Sequence, residues 1–419
     1  KSAWAATWCT VTGFVPRLGT RGTLEVLGNR DLLILDGGAE TVLVDDATLE
    51  DYDPKRFRYT AHDGTVFDVH RVDGVTKVVD TNGNALTFGP GGITHSAGKG
   101  VTFARDAKGR IVQIVDPLGN VSAYAYDGNG DLASRTDPTG RVSTYRYDRA
   151  HNLIEAHDPA GNRALRNDYD AEGRLVSTTD ADGGIVTYTR DPGVSREVIR
   201  NRLGFPSIYD YDADGNVVAL TDALGRVWTT TFDARGNPLV RTDPLGRTLV
   251  RTYDASDNLI SQTDEDGNAR SWTYDGQGRV LVETDPEGRA TGNTYDALGN
   301  LVRVDDFEGG VTRHAYDGAG RRTSTTDPLG RITLFGYDAS GNVVSITDPA
   351  GAVTSATYDA ANRPVTTVDA LGGTTTRVSD AEGRVVKIVD ALGHSTTVAY
   401  AAVGGGSRPA RRTDPLGRM

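Results

Sequence analysis

A four-residue pattern, Asp-x-x-Gly, returns along this chain at an almost constant interval, and that interval limits the fold more than anything else. Tetrads begin at Asp116, Asp137, Asp158, Asp180, Asp222, Asp243, Asp264, Asp285, Asp306, Asp327, Asp348, Asp369, Asp390 and Asp414. Their starting positions advance in steps of 21, with one step of 22 before Asp180 and one of 24 before Asp414. Asn201, in "NRLG", fills the gap between Asp180 and Asp222 in phase. A fixed period of this length is the mark of a repeat architecture, in which one supersecondary unit is copied and stacked.

A second series lies between the tetrads. An aromatic residue followed by Asp recurs at Tyr126, Tyr147, Tyr169, Tyr211, Phe232, Tyr253, Tyr274, Tyr295, Tyr316, Tyr337 and Tyr358. Degraded members in the same phase are Arg190-Asp191, Ser379-Asp380 and Tyr400-Ala401. From Asp212 to Asp390 the two acid series interleave, with steps alternating between 10 and 11.

Each tetrad reads as a turn. Asp at the first position accepts hydrogen bonds from nearby backbone N–H groups. Pro or Ala at the second suits a φ of about −65°, and Gly at the fourth permits positive φ. Asp243 with Gly246, Asp285 with Gly288 and Asp327 with Gly330 are representative. A type I turn followed by a left-handed residue closes a hairpin through a bulge. Where the second series lacks its glycine, the substitutes are His151, Asp257 and Asn362. His, Asp and Asn are the residue types most tolerant of that geometry after Gly. "DPGV" at Asp191 fits poorly and predicts a distorted turn.

Tight turns at both ends of each run make consecutive strands antiparallel. Tyr124 with Tyr126, Tyr145 with Tyr147, Trp272 with Tyr274 and Phe335 with Tyr337 are i, i+2 pairs, so an aromatic ladder occupies one face. The returning strands carry pairs such as Val218 with Leu220 and Val302 with Val304. The fold class expected is all-β: a long antiparallel sheet built from one hairpin per repeat. Roughly thirty strands at ~4.8 Å would run on the order of 140 Å, and open sheets seldom pass about ten strands without curling. The sheet must coil into a spiral.

Composition points to a hollow one. Hydrophobic residues are 37% of the 419, below the usual ~45–50%, and 51 glycines are about 12% against a typical ~7%. A net charge of −12 leaves no excess of Lys and Arg for nucleic acid. Cys9 alone cannot form an internal disulfide. No apolar run approaches the ~18 residues needed to span a bilayer.

No residue stands out as catalytic, cofactor-binding or metal-ligating. "DGNGD" at Asp127, "DADGN" at Asp212 and "DEDGN" at Asp264 imitate the opening of a calcium loop but lack its closing acid. The seven histidines show no metal spacing: His151 fills a turn slot and His314 lies on a strand before Tyr316. "GPGGITHSAGKG", residues 89–100, misses P-loop spacing. The aromatic ladder has a binding alternative, since Tyr and Trp faces can stack on sugars or hold an apolar client.

Units such as "TYDALGNLVRVDDFEGGVTRHAYDGAGRRTSTTDPLGR", residues 294–331, resemble the tyrosine-aspartate, or Rhs, repeats. Residues 80–140 also resemble an entry segment of large bacterial members. That resemblance implies a β-sheet spiral forming a hollow cocoon. In bacterial Rhs and insecticidal toxin-complex proteins such shells enclose a C-terminal toxin, and in teneurins a related shell supports cell-surface recognition. Cocoon-forming members end their repeats in a core segment with aspartyl self-cleavage. Here "DPLGRM" shows no complete core motif, so no self-cleaving residue is carried over.

The organisation expected is a divergent β-rich segment over 1–79 and repeats over 80–419, regular from about 101. Residues 1–79 read as strands continuous with the wall and covering its first edge, with a small independent β domain as the alternative. The chain does not begin with Met, and its one methionine is Met419, so it reads as an internal piece of a longer frame. The function expected is that of a non-enzymatic shell segment of a secreted or cell-surface bacterial protein. Its partner would be an enclosed C-terminal polypeptide or the rest of the shell. Cell-surface adhesion, with a glycan as partner, is the alternative.

Overall fold

The computed structural model describes residues 5–11, 14, 22–36, 41–48, 50–403, 406–416 and 418. Every regular element among them is a strand. Ala5–Thr10, Asp31–Asp36 and Thr41–Asp45 form a small three-stranded sheet. Thr23–Val26 and all strands from Arg56–Thr60 onward form a second sheet of 36 described strands. Each pairs antiparallel with its neighbours in chain order. The outermost strands, Thr23–Val26 and Gly406–Thr413, do not pair with each other, so the sheet is open.

Both series of tetrads lie at hairpin ends. Gly246, Gly288 and Gly330 have φ of 81°, 79° and 78°. His151, Asp257 and Asn362 have φ of 66°, 59° and 62°. The hairpin at Asp191 departs from the others: its left-handed residue comes one place later, at Ser195 with φ 49°.

The two hairpin types differ in register. Hairpins closed by the first series pair without interruption, as in Thr263↔Ala269 and Gln262↔Arg270, except at Asp158, where the register shifts between Ala156 and His157. Those closed by a Tyr-Asp turn slip one residue: Tyr274 faces Val280, while Thr273 faces Val282. A bulge bends its strand and raises local twist. Repeated on the same row in every period from Asp106 onward except at Asp191, it turns these hairpins the same way and makes the sheet coil.

The coiling is visible in contacts between turns far apart in sequence. His62 packs against Gly278, Asn82 against Gly320, Lys99 bonds Asn362 and Arg141 reaches Glu382. Strands counted between these partners give 21 to 25 per coil. At ~4.8 Å per strand the circumference is roughly 110 Å and the diameter about 35 Å.

This wall is one layer thick. Accessible surface is 25048 Å², where a compact monomer of 44.6 kDa would expose about 15,600 Å². The buried apolar side chains among the described residues are Val26, Leu32, Leu33 and Val44. All belong to the first edge strand and the small sheet, and Arg30, in the link between the two, donates from Nε to the Val26 carbonyl at 3.1 Å. The core sits at that edge, and the repeats surround a hollow.

Candidate functional site

The repeated unit of chemistry is a five-residue clasp. The Asp243 N–H donates to the Arg247 carbonyl at 2.9 Å, and the Gly246 N–H donates to the Asp243 carbonyl at 3.0 Å. Asp243 Oδ1 accepts the N–H groups of Leu245 and Arg247 at 2.8 and 3.0 Å. Its Oδ2 accepts Arg247 Nε at 2.8 Å. Asp285 and Asp327 repeat the pattern with Arg289 and Arg331. In other turns Asn replaces Arg, as in Asn258 on Asp254. Burial pushes the Asp243 carboxyl up, but the donors from Arg247 outweigh it and hold the group below its usual range.

These contacts account for the calcium-like stretches. Asp127 Oδ1 receives the N–H groups of Asn129, Gly130 and Asp131, while Asp212 and Asp264 are clasped by Asn216 and Asn268. Among the described residues no group of three or more His, Cys, Asp or Glu is arranged to hold a metal.

The aromatic series forms a row on the wall, but its hydroxyls matter as much as its rings. Tyr274 donates to the Leu259 carbonyl at 2.7 Å, Tyr295 to Val280 at 3.0 Å and Tyr316 to Leu301 at 2.9 Å. Tyr126, Tyr253, Tyr337 and Tyr358 do the same fifteen residues back, and Tyr169 does so sixteen back. Tyr400, a degraded member by sequence, also donates, to Val385 at 3.1 Å. Tyr211 instead reaches Glu197 at 3.3 Å, and Phe232 has no hydroxyl to offer. Tyr147 closes its strand beside Leu153 with its hydroxyl pushed up by burial.

Arginines of the clasps lie over these rings. Arg279 sits 4.7 Å from the Tyr295 centroid, and Arg321 sits 5.1 Å from that of Tyr337. Clasps closed by these arginines therefore touch the next one along the row, through a cation placed over an aromatic face. Trp228 is half-buried under Arg226 at 5.6 Å.

The two turn rows meet where one coil passes the next. Turns of the first series, from Ala61–Gly64 to Asp137–Gly140, face Tyr-Asp turns of the following coil, from Asp275 to Asp380. Asn84 Nδ2 donates to the Ala319 carbonyl at 2.9 Å, and Asn300 Nδ2 donates to Asn82 Oδ1 at 3.1 Å. Arg141 spans from Asp137 to Glu382. Burial would raise the Asp137 carboxyl, but donors from Thr139 and Arg141 bring it down to about 2. Asp137 and Asp158 are the buried charged residues among those described, and both lie in the first-coil row.

Three parts of this arrangement escaped the sequence reading. The clasp partner left a clear signal, because Arg or Asn follows the glycine in turn after turn. The hydroxyl stitch left a trace, since Tyr outnumbers Phe at those positions. The seam left none.

The RHS Repeat family model matches residues 105–141, 126–163, 169–193, 211–248, 253–290, 295–332 and 337–374. These cover more than half of the chain, which belongs to that family. Similar solved structures include "Crystal Structure of TcdB2-TccC3-TEV", at TM-score 0.61 and 16% identity, covering 93% of this chain and 25% of that one. "Crystal Structure of TcdB2-TccC3 without hypervariable C-terminal region" gives 0.62 and 15%, with 93% and 27% covered. A Photorhabdus luminescens Tc holotoxin pore structure carrying the TccC3-D651A mutation gives 0.60 and 15%, with 92% and 25% covered. The chain thus spans about a quarter of the length of the proteins it resembles. No curated protein matches the sequence.

Proposed function

We propose that this chain is a wall segment of a bacterial toxin-type shell, and that it acts by enclosing or presenting a tethered C-terminal polypeptide rather than by catalysis. The observation that carries the reading is the single-layered, coiled wall: 25048 Å² of accessible surface and an apolar core confined to one edge. A chain that leaves both faces of its sheet wet gives up ordinary core stability, and a lumen inside a coil about 35 Å across at the backbone is what that construction provides. Similarity to toxin-complex structures, one solved without its hypervariable C-terminal region, supports the same reading. No helix among the described residues is long and apolar enough to cross a membrane. The location proposed is outside the cell or at its surface.

The test is protease protection. An unstructured passenger appended after Met419 is digested slowly if the wall encloses it. Digestion at the rate of the free passenger rejects enclosure. Binding on a glycan array that is lost in Trp228→Ala or Trp272→Ala would shift the function to adhesion.

A further inference from the structure

At four places on the Tyr-Asp row, a clasp arginine lies over the aromatic ring sixteen residues on. Arg110 with Tyr126, Arg279 with Tyr295, Arg321 with Tyr337 and Arg384 with Tyr400 stand 4.3, 4.7, 5.1 and 4.8 Å from cation to centroid. Arg174 closes the Asp170 clasp in the same way, but the residue sixteen on is another arginine, Arg190.

The ladder between Leu175–Asp180 and Ile185–Asp191 ends at Ser177↔Thr187, and continuing that register sets Arg174 opposite Arg190. Arg190 Nη1 donates to the Leu175 carbonyl at 3.2 Å, fifteen residues back, as the tyrosine hydroxyls do elsewhere. The stitch is kept and the ring is lost. Two cavities lie at this break, and both are lined by Arg174 and Arg190. The larger, of about 340 Å³, adds Val176 and Tyr188, and the smaller, of about 280 Å³, adds Arg196 and Tyr211.

Cations outnumber carboxylates in both linings. Two arginines stand against Asp170 in the larger cavity, and three against Asp191 and Glu197 in the smaller. Asp170 and Glu172 hold Arg174, Glu197 holds Arg190 at 2.9 Å, and Asp210 holds Arg196. A guanidinium has five N–H groups, so these bonds leave donors on each arginine. Further wall seated on this row would leave the place reachable, because Arg279 and Arg321, equivalent residues at the internal seam, remain 28% and 33% exposed.

We propose that this break in the ladder binds a small aromatic carboxylate. The planar forks of Arg174 and Arg190 take the carboxylate, which matches their geometry. The ligand ring rests against Val176 and Tyr188 and restores the stack on a cation that other repeats build from their own tyrosine. Cavities of this size are at the small end of ligand sites and admit a single ring. The site is independent of what the shell encloses.

Isothermal titration of the whole chain with para-hydroxyphenylacetate tests it. One molecule binds per chain, with a Kd on the order of 1 mM or below. Its methyl ester, which lacks the charge, binds at least about tenfold more weakly. Arg190→Tyr installs the residue that most other repeats carry at this position, so it folds, with near-UV circular dichroism as the check, and binding is lost. Arg190→Lys keeps the charge without the planar fork and weakens binding about tenfold. A wild type that does not bind overturns the proposal, as does binding that persists in folded Arg190→Tyr. Glucuronate or inorganic phosphate binding as tightly would overturn the assignment to an aromatic ligand.

Discussion

The Tyr274 hydroxyl donates to the carbonyl of Leu259 at 2.7 Å, on the neighbouring strand and fifteen residues back. The ladder between those strands runs only from Ser261↔Ser271 to Thr263↔Ala269, so the hydroxyl closes its open end. A net intramolecular hydrogen bond contributes about 1 kcal/mol. Tyr274→Phe is expected to lower unfolding free energy by about that much, read as a shift of the urea midpoint at constant slope. The reverse change is sharper. Phe232→Tyr should raise the unfolding free energy by about 0.5–1 kcal/mol, seen as a higher urea midpoint, because the site accepts a ring and lacks the hydroxyl. No gain in that variant would mean the stitch adds nothing.

Gly246 and Gly320 separate two costs of adding a side chain. Both have positive φ, 81° and 75°. A Cβ on Gly246 meets nothing within 4 Å, whereas on Gly320 it lands 2.4 Å from Asn82 Cγ in the seam. Gly246→Ala should cost about 1–2 kcal/mol of left-handed strain alone. Gly320→Ala should cost more and loosen the coil, visible as a larger radius of gyration in small-angle scattering. Equal effects would argue against the seam.

At Ser195 the same reasoning runs backwards. It holds φ 49° without being glycine. Ser195→Gly is expected to stabilise the chain by about 0.5–1 kcal/mol, with thermal unfolding as the readout. A lower melting temperature would show that the Ser195 side chain offsets its own strain.

The pH dependence has a definite sign. Burial pushes the Asp137 carboxyl up, yet donors from Thr139 and Arg141 outweigh it and take the group from the ordinary 3.8 to about 2. A depressed carboxyl contributes stability above its unfolded pKa and loses it as pH falls through the folded one. The contribution is on the order of 2 kcal/mol at neutral pH. In urea titrations, wild type and Asp137→Asn should differ most above pH ~4 and converge toward pH ~2. A difference independent of pH would assign the residue a role in packing only.

Arg141 and Glu382 join the coils 241 residues apart in sequence. Both are largely covered, at 31% and 14% side-chain exposure, so screening by solvent is incomplete. A double-mutant cycle with Arg141→Ala and Glu382→Ala should return a coupling of about 1 kcal/mol. Additive single effects would mean that the two coils close without this pair.

Much of the fold was legible because its determinants are local. Positive φ at His151, Asp257 and Asn362 follows from residue type within a counted phase, and the alternation of Trp272 with Tyr274 follows from the period of a strand. The clasp of Asp243 by Arg247 is also local, and was missed only by stopping at the glycine.

Local sequence specified a hairpin, its two turns and the number of its copies, since each depends on φ, ψ and side-chain spacing inside a single repeat. Where those copies return to meet was settled by the coiled sheet as a whole. The curvature per hairpin is small and accumulates over some 21 to 25 strands, so the partner of Arg141 depends on every bulge and twist between it and Glu382. Leucines at the same third tetrad position are therefore half-buried at Leu118 and exposed at Leu371, a difference no local pattern encodes.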